Sequence, residues 1–107
     1  MNEFLEKLIT RIKEYNPNAD LTKLLKAYTL GEAAHAGQKR NSGEDFFIHP
    51  LNVALILADL NMDLETIIAG ILHDVIEDTD YTYEDLVEEF GEEIANLVDG
   101  VTKLKNL

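Results

Sequence analysis

Apolar side chains recur along most of this chain at the three- and four-residue spacing of helices that bury one face, and nowhere is strand-like alternation sustained. Over residues 2–15, Phe4, Leu5, Leu8, Ile9 and Ile12 carry the pattern with Lys and Glu between them, which predicts an amphipathic helix. Asn16, Pro17 and Asn18 stop it, since proline cannot continue a helix and asparagine favours turns. Asp20 then caps a second helix running through Leu21, Leu24, Leu25 and Tyr28 toward Ala34 and His35. A polar loop bracketed by Gly37 and Gly43 follows, and Pro50 suits the first turn of a third helix. Residues 51–60 are nearly all apolar, so that helix is expected to be buried on most sides.

Asp63 caps a fourth helix on which Leu64, Ile67, Ile68, Ile71, Leu72, Val75 and Ile76 share a face. Continued one more turn, it sets His73 beside Glu77 and Asp74 beside Asp78. Thr82 followed by Asp85 predicts a capping box for a short fifth helix that ends at Gly91. A last helix runs from Glu92 through Ile94, Leu97, Val98, Val101 and Leu104. The fold class is therefore all-α, a bundle of about six helices, and 107 residues allow one domain, 1–107.

Composition narrows the chemistry. With no cysteine, disulfides and thiolate-bound zinc are excluded. The N-terminus lacks a signal-peptide pattern and no apolar run approaches a membrane span, which points to a cytoplasmic, soluble protein. The net charge of −12 argues against direct nucleic-acid binding. Every Lys and Arg lies outside residues 41–102. For Glu84, Asp85, Glu88, Glu89, Glu92 and Glu93 a solvated acidic surface is sufficient. The stretch 70–80 sets one imidazole, His73, and four carboxylates at the end of an apolar segment, and its cluster from Asp74 to Asp80 points instead to a cation.

A lone His49 before Pro50 would by default be a helix-start residue bonded to backbone, and a lone His73 a satisfied core histidine. Together with Asp74 and two further carboxylates they favour a metal site, and the absence of thiolate shifts weight to the harder ions. His35, near the end of the second helix among small residues, is read as structural or solvent-exposed; Tyr81 and Tyr83 are read as packing or surface groups.

Ile48-His49-Pro50, then His73-Asp74-Val75-Ile76-Glu77-Asp78-Thr79, then Phe90-Gly91 and Val98-Asp99-Gly100-Val101-Thr102-Lys103-Leu104 resemble, in that order, the hydrolase domain of the RelA/SpoT homologues. These belong to the HD superfamily of metal-dependent phosphohydrolases. Gln38-Lys39-Arg40-Asn41-Ser42-Gly43-Glu44 is similar to the same family's nucleotide-contacting loop, and Tyr15-Asn16-Pro17 to the lead-in of its long, two-activity members. The resemblance covers nearly the whole chain. It implies an HD-domain helical bundle that hydrolyses the guanine nucleotide alarmone (p)ppGpp at its 3′-pyrophosphate, giving GDP or GTP and pyrophosphate, with manganese.

By the same resemblance His49, His73 and Asp74 are metal ligands, and Glu77 and Asp78 orient and deprotonate the attacking water. Lys39, Arg40, Asn41, Ser42 and Glu44 contact the nucleotide; Asn41 stands where many members carry Lys. The family's fourth ligand is an Asp on a later helix, beyond residue 107. The chain is accordingly expected to be the N-terminal part of a hydrolase or synthetase-hydrolase, weakly active or inactive alone. Its apolar last positions run to the C-terminus uncapped, so self-association into a homo-oligomer is a further expectation. The alternatives are another HD-superfamily nucleotide phosphohydrolase and an inactive regulatory or interaction fragment.

Overall fold

The computed structural model describes residues 3–39, 41, 43 and 47–105, the side chains of Glu77, Asp78 and Lys105 excepted. Among these residues the chain forms seven helical segments and no strand. They are α1 (Glu3–Tyr15), α2 (Thr22–Ala34), α3 (Ile48–Asp59), α4 (Leu64–Leu72), α5 (Val75–Asp78), α6 (Tyr83–Phe90) and α7 (Glu92–Lys105). The expected all-α architecture holds, with the fourth helix delivered as two pieces.

A short helix of nine residues is the centre of the molecule. α4 packs against α2, α3 and α7, while α1 covers α3 and α6 covers α7. From Ile67 to Leu72 every residue of α4 is buried. A fully buried Leu or Ile contributes roughly 1.5–3 kcal/mol, so these turns hold a large share of the core. Gly70 permits the closest approach: a Cβ there would lie 2.8 Å from Leu57 Cδ1 on α3.

The burial of α3 differs from what its composition suggests. Only Pro50, Leu51, Ala54 and Ala58 are buried, whereas Ile56 and Leu60 are 59% and 66% exposed. α3 packs closely against α1 and α4, and its apolar sequence is not covered all round. α7 likewise turns Ile94, Ala95 and Val98 inward and leaves Leu97 and Leu104 exposed.

Local signals placed most of the helix ends correctly. Asn61 adopts a left-handed φ of 58°. Its N–H donates to the Ala58 carbonyl at 2.9 Å and the Met62 N–H to the Leu57 carbonyl at 3.1 Å, closing α3 as a Schellman turn. Asp63 accepts from the Thr66 N–H at 3.1 Å. Thr82 and Asp85 form the capping box, at 3.1 and 3.0 Å, and Gly91 ends α6 with φ 94°. Asp20 sits one residue outside the cap position and accepts from both the N–H and the hydroxyl of Thr22.

Cations from outside residues 41–102 do reach the acidic region. Arg11 pairs with Asp59, and Lys103 with Asp99 at 3.0 Å. From α2, Lys23 and Lys26 donate to the carbonyls of Phe90 and Glu89 at 3.2 and 2.9 Å, cations at the C-terminus of a helix that has none of its own there. Tyr83 donates to Asn96 Oδ1 at 2.5 Å. Burial, and after it the carboxylates of Glu89 and Asp85, push the Tyr81 phenol above its ordinary value.

Two measurements test these ends. Asp63→Ala is expected to lower stability by about 1 kcal/mol in urea unfolding, the usual worth of a helix cap; an unchanged midpoint would remove the cap from the account. The Thr22 hydroxyl, and then its N–H, hold the Asp20 carboxyl below its ordinary value. A carboxyl held low when folded stabilises the fold above its unfolded pKa, and that contribution is lost as pH falls through the folded value. Thr22→Ala should therefore move Asp20 back up toward 3.8 in an NMR titration, and no movement would contradict the assignment.

Candidate metal centre

α4 does not run on through residue 78. It ends at Leu72; His73 (φ −58°, ψ −29°) and Asp74 (φ −92°, ψ −6°) form a turn, and α5 starts at Val75. The cause lies in His73 itself. Its Nδ1 stands 2.6 Å from the Gly70 carbonyl, the oxygen that would otherwise receive the Asp74 N–H in an unbroken helix. The four-residue pairing of His73 with Glu77 and of Asp74 with Asp78 presumed an unbroken helix, and the turn removes that basis. The backbone of Glu77 and Asp78 lies in α5, and their side chains are outside the described residues.

A carbonyl oxygen only accepts, so Nδ1 of His73 carries the proton that bonds Gly70. Nε2 then faces away from α4 and stands 3.2 Å from Asp74 Oδ2. Both residues are deeply placed, His73 at 7% and Asp74 at 4% exposure. The third member arrives from another helix. His49 is the second residue of α3, half-buried, and its ring meets that of His73 edge-on with centroids 5.8 Å apart and planes at 66°.

One ligand atom from each of His49, His73 and Asp74 lies within 4.8 Å of the others. Donors sharing an ion at about 2.1 Å stand no more than about 4.2 Å apart, so a small turn of the half-buried His49 ring would complete the set. The residues fit a divalent ion in kind as well. Two imidazoles and a carboxylate suit a first-row metal, and the Nδ1–H to backbone carbonyl bond is the usual device for aiming Nε2 at one.

The remaining sequence-predicted residues are less fully placed. Lys39 and Asn41 are exposed, both beyond α2. Arg40, Ser42 and Glu44 lie outside the described residues. His35 is structural, as expected, and buried rather than exposed: Nδ1 is 3.2 Å from Gln38 Oε1, and the ring stacks on Phe47 with centroids 6.3 Å apart. Two contributors escaped sequence reasoning, the Gly70 carbonyl and Phe47. A glycine three residues before His73 was the only available signal for the first; Phe47 reads as one more core aromatic.

The family model for the HD domain matches residues 27–107, a span that includes all three candidate ligands. The chain belongs to the HD domain family. Within it, the sequence is 52% identical over 104 residues to the guanosine-3′,5′-bis(diphosphate) 3′-pyrophosphohydrolase of Aquifex aeolicus, covering 97% of this chain and 14% of that protein. It is 47% identical over 102 residues to the bifunctional (p)ppGpp synthase/hydrolase SpoT of Escherichia coli, covering 95% and 14%. A probable GTP pyrophosphokinase of Mycobacterium leprae is 51% identical over 100 residues, covering 94% and 13%.

Among solved structures, one described as a metazoan ortholog of SpoT that hydrolyses ppGpp superposes with a TM-score of 0.73 at 31% identity, over 84% of this chain and 53% of that one. The motif resemblance to the RelA/SpoT homologues is thus borne out. The chain spans about one-seventh of the length of the curated relatives it matches.

The tautomer offers a direct check. Long-range proton–nitrogen spectra of the metal-free protein are expected to show His73 protonated at Nδ1. A form protonated at Nε2 alone would mean that the Gly70 bond is absent.

Proposed function

We propose that this domain hydrolyses the guanosine alarmone (p)ppGpp at its 3′-pyrophosphate, releasing pyrophosphate and leaving GDP from ppGpp or GTP from pppGpp. The observation that carries the reading is the convergence of half-buried His49 with buried His73 and Asp74, with His73 aimed by the Gly70 carbonyl. The printed activities of the relatives supply the substrate.

In this reading His49, His73 and Asp74 hold a divalent first-row ion, which the resemblance to the RelA/SpoT homologues implies is manganese. When bound, such an ion lowers the pKa of water and draws charge from phosphoryl oxygens. Glu77 and Asp78, on the helix directly after the ligands, orient the attacking water and take up its proton. Lys39 and Arg40 offset the substrate's charge, and Asn41, Ser42 and Glu44 contribute polar contacts to the nucleotide. Three ligands leave the other coordination positions to water or further donors, so residues 1–107 alone should bind the ion weakly and turn over slowly. No helix among the described residues is long and apolar enough to cross a membrane. The reading places the domain in the cytoplasm, with the nucleotide as its partner.

Calorimetry with manganese is the first test, with His73→Ala as control. Heat that saturates in the wild type and vanishes in the variant supports the site. Incubation with ppGpp should then yield GDP and pyrophosphate, and Glu77→Gln should cut the rate by about 10²- to 10⁴-fold, the usual worth of a general base. Release of orthophosphate, or equal turnover of ordinary nucleotides, would replace this reading with a different phosphohydrolase of the same superfamily.

A further inference from the structure

His49 enters the metal cluster from a helix whose start has no side-chain cap. Something else has to fix the direction of that first turn. Phe47 is the residue at the cap position, and its ring is buried. It lies against three residues of one face of α2 and its end. Tyr28 meets it edge-on at 5.5 Å, and His35 stacks on it at 6.3 Å with planes 23° apart. Between them Gly31 makes room, since a Cβ there would sit 2.5 Å from Phe47 Cε1. The backbones of α2 and α3 are not among the closely packed helix pairs, so this ring spans the gap between them.

His35 is in turn held in place. It is the C-cap residue of α2, its N–H donates to the Gly31 carbonyl at 3.1 Å, and it is nearly fully buried. Its Nδ1 and Gln38 Oε1 are 3.2 Å apart, the Gln38 N–H donates to the His35 carbonyl at 3.0 Å, and the Gln38 amide reaches back to the Ala34 carbonyl at 3.4 Å. The imidazole is therefore a fixed plate, and Phe47 rests on it two residues before His49.

We propose that His35 is a positioning residue: its ring, tied to Gln38 and stacked on Phe47, sets the first turn of α3 and thereby holds the His49 imidazole against His73. The consequence for metal holding rests on the function proposed above, but the placement of His49 does not. A purely structural role would lower stability without moving the His49 ring.

The test is made on the whole chain without metal. Cross-relaxation between the His49 and His73 rings is measured by NMR in the wild type, in His35→Ala and in His35→Phe, which keeps a flat ring for Phe47 but loses the bond to Gln38. The inference expects the contact to be strong in the wild type, lost in His35→Ala and largely restored in His35→Phe, with the signals of Leu86 and Phe90 in α6 unmoved. Should His35→Ala not fold, Phe47→Leu takes its place and is expected to lose the same contact. A His49–His73 contact that survives His35→Ala, or Phe47→Leu in its stead, overturns the inference. Manganese calorimetry on the same samples separates the two readings. His35→Ala should bind about tenfold more weakly, as when an outer support of a metal ligand is removed. A wild type that shows the ring contact but binds no manganese refutes the proposed function and leaves the role of His35 standing.

Discussion

The hydrogen bond from His73 Nδ1 to the Gly70 carbonyl is the interaction on which the centre depends. It ends α4, the helix most deeply enclosed by its neighbours, and it does so at the point where a polar pair must be accommodated in the core. Burying an imidazole and a carboxylate is costly unless their polar atoms are satisfied. Drawing one ring nitrogen onto a helix carbonyl meets part of that cost, stops the helix, and orients the other nitrogen toward Asp74 at once. Gly70 serves twice, since its missing side chain also lets α3, the helix of His49, lie close. Packing and chemistry are coupled through one residue.

A second constraint follows from assembling the cluster from two helices. His73 and Asp74 are fixed by α4 and the turn after it, while His49 depends on how α3 begins. The Schellman turn at Asn61 and the Asp63 cap join the far ends of α3 and α4 rigidly. Their near ends, where the ligands sit, are joined by no such turn. The aromatic contacts of Phe47 with α2 stand at that end, and α2 also reaches the other side of the molecule through Lys23 and Lys26 at the end of α6.

Much of this was legible in the sequence because it depends on local signals. Asp63, the Thr82–Asp85 box and Gly91 each act within a few residues, so their effects appear in the structure where expected. The three converging residues His49, His73 and Asp74 were legible as a set through motif resemblance. Burial was less so, because it is decided by neighbours. α3 is more apolar than α1 but packs closely against two helices, and Ile56 and Leu60 are exposed; α4 packs closely against three and is enclosed around its last turns. The break after Leu72 was missed for a different reason. Apolar spacing runs through Val75 and Ile76 without interruption, and only the bond from an imidazole to a carbonyl three residues back reveals the stop.

The charge distribution gives the proposed chemistry a particular order of dependence. A chain of net charge −12 repels a polyanionic nucleotide, and four of its carboxylates fall within residues 74–80 of the sequence. Lys39 and Arg40 are the only Lys or Arg in the sequence between Lys26 and Lys103, and two positive charges do not reverse that field. On the proposed function, the balance changes sign locally only when a divalent cation shares the site, because its charge then lies between the carboxylates and the phosphates. Metal and nucleotide would each raise the other's affinity, by the reciprocity that any coupled pair of ligands obeys. On the proposed function, the acidic cluster would disfavour anions in the metal-free domain and, with a cation bound, would confine their attraction to the place where hydrolysis is proposed.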